Sequence, residues 1–324
     1  MTRNDHPRTV DFHTHFLERE ALELCLAHSV ATDFGRQKLP PHLDGPIEKM
    51  STHQSLIDDM DRRGIDISVI SSASVLVPTY WADTPAATTL ARKINDKAAA
   101  VAAQVSDRII GSFVLPLQSI EASLVEFRRA VESLGLKVAN VPAEVRGIYL
   151  GDPVYRPFWE AAQDAGVAVI MHPDGAKDRW FFQYGMWNSL AQSLEETKFM
   201  ASIIYEGILE SFPRLKIVVV HGGGYFPHNM GRLDRNVKNA PQSMKNITCR
   251  PSGYLKSVYY DTCLYDPTVL SSLLKIVGPE RMLLGSDYPV GEADPVAFVT
   301  SCPDLDEGQR GMILGERACA LLGG

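Results

Sequence analysis

The segment 9–15 contains two histidines, His13 and His15, that are separated by a single residue. In an extended segment, residues i and i+2 project to the same face with their Cα atoms roughly 6.5 Å apart. Two imidazoles placed in this way can bind one divalent ion, which would activate water or polarise a substrate oxygen. Strand histidines at this spacing also occur as ordinary polar residues, so the pair alone leaves both interpretations open.

The elements that would position this pair follow a regular alternation along the 324 residues. Short β-branched runs predict eight strands, near 9–15, 66–74, 108–116, 136–141, 167–173, 216–222, 257–263 and 282–289. Amphipathic stretches predict helices near 53–63, 85–105, 119–133, 155–165, 194–211, 227–239, 267–277 and 307–321. Eight strand-helix units predict a (β/α)8 barrel that forms one domain over 1–324.

Two further features bear on this architecture. The alternative is an open doubly wound sheet, but no GxGxxG glycine pattern follows the first strand, and a glycine run at 222–224 lies far downstream. The segment 16–52 is rich in charge and proline, so we expect an insertion after the first strand that folds over the barrel mouth.

Polar residues gather where the predicted barrel would carry out chemistry, at the carboxyl ends of its strands. His172 ends the fifth predicted strand, His221 the sixth and Asp287 the eighth, each after an apolar run. Singly, each fits a buried histidine or a turn aspartate. Together with the first pair, they predict a mononuclear metal site of histidine and carboxylate ligands with one position open to substrate.

Composition and charge exclude several classes of protein. A net charge of −7 gives no general attraction for nucleic acid or anionic membrane, so neither is an expected partner. The five cysteines are scattered without CxxC spacing, which argues against a disulfide framework and a cysteine zinc cluster. With no apolar signal core or membrane-length apolar run, we expect an unprocessed, soluble protein of the cytoplasm.

Five segments carry a resemblance to a known family: VDFHTHF at 10–16, LIDDMDRRGID at 56–66, AVIMHP at 168–173, LKIVVVHGGGYFPHNMGRLDR at 215–235 and RMLLGSDYPVG at 281–291. In this combination they resemble the amidohydrolase superfamily, and within it the group around 2-amino-3-carboxymuconate 6-semialdehyde decarboxylase. The resemblance runs over nearly the full length and implies a (β/α)8 barrel.

The resemblance also implies roles for individual residues. Its metal ligands correspond to His13, His15, His172 and Asp287, and its acid-base residue beside the metal-bound water corresponds to His221. It further implies a homodimer in which an arginine, here Arg232, reaches into the neighbouring active site to hold a carboxylate. The alternative for Arg232 is a surface salt bridge, for example with Asp234 or Asp61.

The ligand types bear on the choice of metal. Three histidines and one aspartate favour Zn²⁺, whereas Mn²⁺ is also realistic because imidazole and carboxylate ligands serve both ions.

Substrate contacts are expected from the residues that follow the fifth and sixth strands. Trp180 and Phe182 belong to an aromatic segment, 178–187, suited either to stacking a planar substrate or to packing in a dimer interface. His228 is a candidate pocket contact or an exposed residue at a helix start. The related decarboxylase has a second clamping arginine where this chain has Asp44, so the substrate is expected to differ, and Arg36 is the nearest candidate replacement.

These observations favour a metal-dependent decarboxylase of a carboxylated aromatic or unsaturated dicarboxylic acid from aromatic catabolism. His221 would exchange the proton and Asp287 would serve as ligand and catalytic residue. The alternative is a hydrolase or hydratase that uses metal-bound hydroxide on a lactone, amide, carbonyl or alkene of a similar acid. A non-catalytic metal-binding barrel is disfavoured because all five site residues are present.

Overall fold

The protein is described by a computed structural model over residues 8–28, 39, 41–175 and 178–323. Eight parallel strands form one sheet in sequential order. In chain order they are β1 (Val10–Phe16), β2 (Ile67–Ser72), β3 (Ile109–Phe113), β4 (Val138–Val141), β5 (Ala168–Met171), β6 (Lys216–Val219), β7 (Tyr259–Asp261) and β8 (Met282–Leu283). The predicted (β/α)8 barrel is confirmed, because each strand pairs with the next in parallel.

Helices connect the strands and surround the sheet. They are α1 (Arg19–Ala27), α2 (Asp44–Ser51), α3 (His53–Arg63), α4 (Thr84–Gln104), α5 (Ile120–Arg128), α6 (Arg156–Asp164), α7 (Gln192–Tyr205), α8 (Ile208–Ser211), α9 (Met230–Asn239), α10 (Pro267–Val277), α11 (Pro295–Thr300), α12 (Glu307–Gly311) and α13 (Arg317–Leu322). Several begin with a cap that the sequence signals, such as Asp266, whose side chain accepts a hydrogen bond from the Thr268 amide before α10.

The barrel closes between β1 and the chain that follows β8. The Phe12 amide donates to the Leu284 carbonyl, the Asp287 amide to the His13 carbonyl and the His15 amide to the Tyr288 carbonyl, all at 2.8–2.9 Å. These bonds bring the carboxyl end of the last strand against the first. The two ends of the sequence therefore contribute to the same part of the barrel mouth.

Apolar side chains fill the interior below that mouth. A buried cluster takes residues from successive strands, including Phe12, Val69, Val138, Ile170 and Val218. A larger buried cluster packs the outer face of the sheet against the helices. The side chains of the predicted site lie above this apolar layer, at the carboxyl ends of the strands.

Most of the strands after β1 are shorter than the sequence predicts, and the differences have local causes. β8 includes only Met282 and Leu283, so Asp287 lies beyond the ladder. The predicted helix 194–211 is two helices, because Gly207 interrupts it with φ 71°. A two-stranded hairpin that the sequence analysis did not predict, Glu144–Val145 with Ile148–Tyr149, lies outside the barrel.

The segment 16–52 is described in part. It contains α1, a 3₁₀ turn at Pro41–Leu43 and α2, and the Leu17 amide donates to the Met50 carbonyl at 2.8 Å, so its two ends meet. Its placement over the barrel mouth stays a prediction, and Arg36 lies outside the described residues. Within the described part of the chain, no helix is both long and apolar enough to span a membrane.

Candidate metal centre

The four predicted ligands come together at the barrel mouth. His13 and His15 lie on β1, His172 directly follows β5 and Asp287 lies four residues beyond β8. One ligand atom from each residue lies within 4.8 Å of the others, and all four residues are buried. The Asp287 Oδ1 is 2.9 Å from the His15 Nε2 and 3.4 Å from the His13 Nε2.

Hydrogen bonds fix which nitrogen two of these histidines present to the cluster. The His13 Nδ1 lies 2.6 Å from the Asp261 Oδ2, and the His172 Nδ1 donates to the Pro173 carbonyl at 2.9 Å. The Nε2 of each ring is thereby left with a lone pair. The Nε2 of His13 is buried and has no hydrogen-bond partner among the described residues. An orphaned ring nitrogen of this kind suits a metal ligand.

Electrostatics favour the ligand forms of these side chains. Burial, together with the neighbouring histidines, holds the pKa values of His13 and His172 well below their usual range, so both rings are neutral. Burial acts to raise the pKa of Asp287, but the surrounding histidines outweigh it and hold that pKa well below its usual value. Neutral imidazoles and an ionised carboxylate are the forms that bind a divalent ion, so the residues present fit one.

Asp261 is a site residue that the sequence analysis missed. It ends β7, is fully buried, and accepts hydrogen bonds from the Gly222 and Cys263 amides in addition to its contact with His13. A carboxylate on the far nitrogen of a metal-ligating histidine fixes the ring and raises its basicity. The signal was an aspartate at the end of the seventh predicted strand, in the same position as the other polar residues.

His221 stands beside the four-residue cluster, in a 3₁₀ turn, His221–Gly223, that follows β6. Its Nδ1 is 2.5 Å from the Oε1 of Glu196, a fully buried residue of α7, and its Nε2 is 3.7 Å from the Asp287 Oδ2. Burial acts to lower the pKa of His221, but Glu196 and Asp287 outweigh it and raise that pKa well above its usual value. Glu196 was also missed, because its position in an amphipathic helix gave no signal.

The backbone around His221 is constrained. His221 has φ 48° and Asp287 φ 56°, a region that non-glycine residues adopt rarely and mostly where the surrounding structure requires it. Gly224 has φ 62°, and a Cβ added there would lie 2.2 Å from the Ser193 carbonyl oxygen and 3.0 Å from the Glu196 Oε2. The glycine run therefore lets the chain approach α7, where Glu196 contacts His221.

Gly224→Ala should destabilise the fold by at least about 1–3 kcal/mol, because it adds backbone strain and a clash with the Ser193 carbonyl. Gly231→Ala is the matched control, since Gly231 lies in α9 and its Cβ would have no neighbour within 4 Å. That change should be neutral or stabilise by up to about 1 kcal/mol. Urea unfolding of both variants measures the difference, and equal stabilities would contradict the proposed constraint.

Asp261→Asn should weaken metal binding by about tenfold to a hundredfold, because it removes the negative charge that orients His13. Competition with a chelator measures this affinity. Glu195→Gln is the control, since Glu195 is also a buried carboxylate but bonds Tyr149 and Lys198 rather than a histidine. Unchanged affinity in Asp261→Asn would refute the role of Asp261.

The predicted substrate contacts follow β5 and β6 in the chain and are mostly exposed to solvent. Arg232 and His228 are exposed. Neither Asp234 nor Asp61 pairs with Arg232. Asp234 accepts a hydrogen bond from Ser252, and Asp61 pairs with Arg108. Trp180 is 58% exposed in the turn Arg179–Phe182, and Phe182 is half-buried there.

Comparisons with known proteins agree with this geometry. The family model described as amidohydrolase matches residues 10–323. The 2-amino-3-carboxymuconate-6-semialdehyde decarboxylase of Dictyostelium discoideum is 32% identical over 82% of this chain and 75% of its own. The gamma-resorcylate decarboxylase of Polaromonas is 27% identical over 78% of this chain and 81% of its own. A 2-keto-4-carboxy-3-hexenedioate hydratase of Sphingobium is 24% identical over 69% of this chain and 66% of its own.

Solved structures share the fold. The 5-carboxyvanillate decarboxylase of Sphingomonas paucimobilis superposes with a TM-score of 0.89, at 24% identity, over 98% of this chain and 99% of its own. A dihydroxybenzoic acid decarboxylase of Polaromonas, solved with bound manganese, gives 0.84 at 22% identity, over 98% and 97%. The chain belongs to the amidohydrolase family, in the group related to 2-amino-3-carboxymuconate-6-semialdehyde decarboxylase.

Proposed function

We propose that the protein is a metal-dependent decarboxylase of a carboxylated aromatic or unsaturated dicarboxylic acid. The observation that carries this proposal is the orientation of His221. Glu196 contacts its Nδ1, and its Nε2 is directed toward Asp287 in the histidine cluster. The decarboxylases among the relatives support it. The hydrolase alternative is not favoured. Because one relative is a hydratase, water addition is the competing reaction that the experiments must distinguish from decarboxylation.

The chain's own residues would bind the acid and deliver a proton. A divalent ion held by the three histidines and Asp287 would supply positive charge at the mouth and so attract an anionic acid. His221, protonated on Nε2, would donate that proton to the ring or alkene carbon that carries the carboxylate. The carbon–carboxylate bond then breaks, CO2 leaves, and the electron pair of that bond restores the ring or double bond.

Glu196 would act through His221 as a positioning residue. Its carboxylate stabilises the imidazolium and fixes the ring, because the Nδ1 contact leaves only Nε2 for the substrate. We propose Zn²⁺ as the ion and Mn²⁺ as the alternative, since both accept this set of ligands.

We propose substrate contacts by Trp180, Phe182 and His228, and a homodimer in which Arg232 holds a carboxylate in the neighbouring active site. Arg232 is exposed, so its guanidinium is accessible to a substrate. The carboxylate of the acid would form an ion pair with that guanidinium. The aromatic residues Trp180 and Phe182 suit a planar substrate. A protein of the cytoplasm is proposed on the cysteine pattern alone.

Mixing two inactive variants tests the shared site. In a hybrid dimer of Arg232→Ala with His221→Ala, one of the two sites keeps both its own His221 and the partner's intact arginine. Random exchange of subunits makes half of the dimers hybrids, so mixing should restore about a quarter of wild-type activity. If Arg232 acts within its own subunit, every hybrid site lacks one of the two residues. No recovery on mixing would then contradict contribution across the interface.

A panel of aromatic carboxylates, unsaturated dicarboxylates, lactones and oxo-acids tests the reaction class. Each compound is incubated with metal-loaded protein, and CO2 release is scored against water addition. We expect CO2 release from at least one aromatic or unsaturated acid. Water addition without CO2 release across the panel would overturn the proposal in favour of the hydratase alternative.

A further inference from the structure

A second set of metal-ligating atoms shares Asp287 with the histidine cluster. Ligand atoms of His221, Cys263 and Asp287 all lie within 4.8 Å of one another. The two oxygens of Asp287 face different groups, because Oδ1 is 2.9 Å from the His15 Nε2 whereas Oδ2 is 3.7 Å from the His221 Nε2. A carboxylate arranged in this way can bridge two ions, as in sites with metals about 3.5–4 Å apart.

Cys263 brings a thiol to this second set. It lies two residues beyond β7 and is 1% exposed. Its sulfur is 3.3 Å from the Tyr265 hydroxyl and 3.7 Å from the Ser286 carbonyl, and a thiol forms only weak hydrogen bonds. A thiolate is a ligand that zinc and other thiophilic ions prefer to carboxylate oxygen. The thiol is therefore buried among potential ligands without a strong hydrogen bond of its own.

His221 is oriented as a metal-ligating histidine would be. The Glu196 carboxylate contacts its Nδ1 at 2.5 Å, just as the Asp261 carboxylate contacts the Nδ1 of His13 at 2.6 Å. In both residues a buried carboxylate leaves Nε2 directed at Asp287. This carboxylate–histidine arrangement is the usual support of a metal-bound histidine. It is an observation independent of the thiol.

We propose that a second, thiophilic divalent ion binds between the His221 Nε2, the Cys263 Sγ and the Asp287 Oδ2, and that it inhibits the enzyme. A tetrahedral zinc with bonds of about 2.0–2.3 Å needs ligand atoms roughly 3.3–3.8 Å apart, so the side chains need to close by about 1 Å. Binding releases the thiol proton, and the proton of His221 where it is present, to solvent. Asp287, Glu196 and the new thiolate offset the added positive charge.

The second ion inhibits because it binds the His221 Nε2, and this inference of inhibition rests on the proposed function. The Nε2 of His221 is the nitrogen assigned to proton transfer, and an ion bound there removes that proton. Ion binding itself does not depend on that assignment. The two parts therefore have separate measurements.

Cobalt provides the test, because a cobalt–thiolate bond adds a charge-transfer band in the near ultraviolet. Co²⁺ is titrated into metal-free protein while bound cobalt per chain and the absorption spectrum are recorded. We expect two equivalents in the wild type, with the band appearing during the second. Cys263→Ser should bind the second equivalent at least about tenfold more weakly, without the band. Cys302→Ser, which alters another fully buried cysteine, should behave as wild type.

A single equivalent in the wild type, or a second equivalent without the band, would overturn the proposal. A band that persists in Cys263→Ser would also overturn the proposal. If circular dichroism shows that Cys263→Ser is misfolded, Cys263→Ala replaces it. Excess Zn²⁺ should then inhibit CO2 release by wild type more strongly than by Cys263→Ser. If no acid in the panel releases CO2, the proposed function fails while the cobalt titration still decides the second site.

Discussion

His221→Ala should lower kcat for decarboxylation by roughly a hundredfold to ten-thousandfold while leaving the affinity of the histidine cluster for its first ion near that of wild type. The kinetic effect is the contribution of a positioned general acid. The metal effect is small because His221 is not among His13, His15, His172 and Asp287, whose ligand atoms form the primary cluster. Steady-state kinetics and metal analysis at one equivalent measure the two quantities.

The matched control for that change is His53→Ala, which removes an imidazole from the first turn of α3. It should leave kcat unchanged, since His53 has no place in the proposed site. Equal kcat values for His221→Ala and wild type would refute the proton-transfer role. Loss of the first ion in His221→Ala would instead place His221 among the primary ligands.

Removal of the metal should abolish turnover and also lower stability. Chelation would remove the partner that the buried His13 Nε2 otherwise lacks and the positive charge beside the Asp287 carboxylate. An ion at a hundred times its Kd stabilises the folded protein by about 2.7 kcal/mol, so chelation should lower Tm. Activity after dialysis against a chelator, and Tm by differential scanning fluorimetry, are the measurements.

Refilling provides the control for chelation. Zn²⁺ or Mn²⁺ should restore both activity and Tm, whereas Ca²⁺ should not, because it prefers sites made only of oxygen ligands. Full turnover in protein shown by analysis to contain no transition metal would contradict the metal-dependent mechanism. Comparison of the two refilled forms also distinguishes Zn²⁺ from Mn²⁺ as the proposed ion.

The histidine cluster could be predicted from the sequence because barrel topology determines where strand ends lie. His13, His172 and Asp287 are far apart in sequence, yet His13 lies on the first strand and the other two follow apolar strands. Parallel strands in a closed barrel place such residues at one face. The same reasoning identified His221. No pairwise contact had to be known.

Asp261, Glu196 and Cys263 could not be assigned to the site from the sequence because their importance depends on contacts. Asp261 contacts His13 across 248 residues, and Glu196 lies on a helix whose sequence predicts only an amphipathic face. In the sequence, Cys263 is one of five scattered cysteines, and only the fold brings it near His221 and Asp287. The ends of the strands also depend on contacts, because a strand ends where its backbone pairing ends. At β8 the apolar run continues past Leu283, the last paired residue, so the predicted strand is too long.

The proposed reaction replaces a carboxylate with a proton, so isotope labels in the product distinguish it from water addition. An acid from the panel is incubated with metal-loaded protein in D2O that carries heavy oxygen, and the product is analysed by mass spectrometry. We expect a product that has lost CO2 and gained a single deuterium at the carbon that carried the carboxylate, with no heavy oxygen. A product that keeps its carboxylate and has incorporated heavy oxygen would refute decarboxylation and show that the protein adds water.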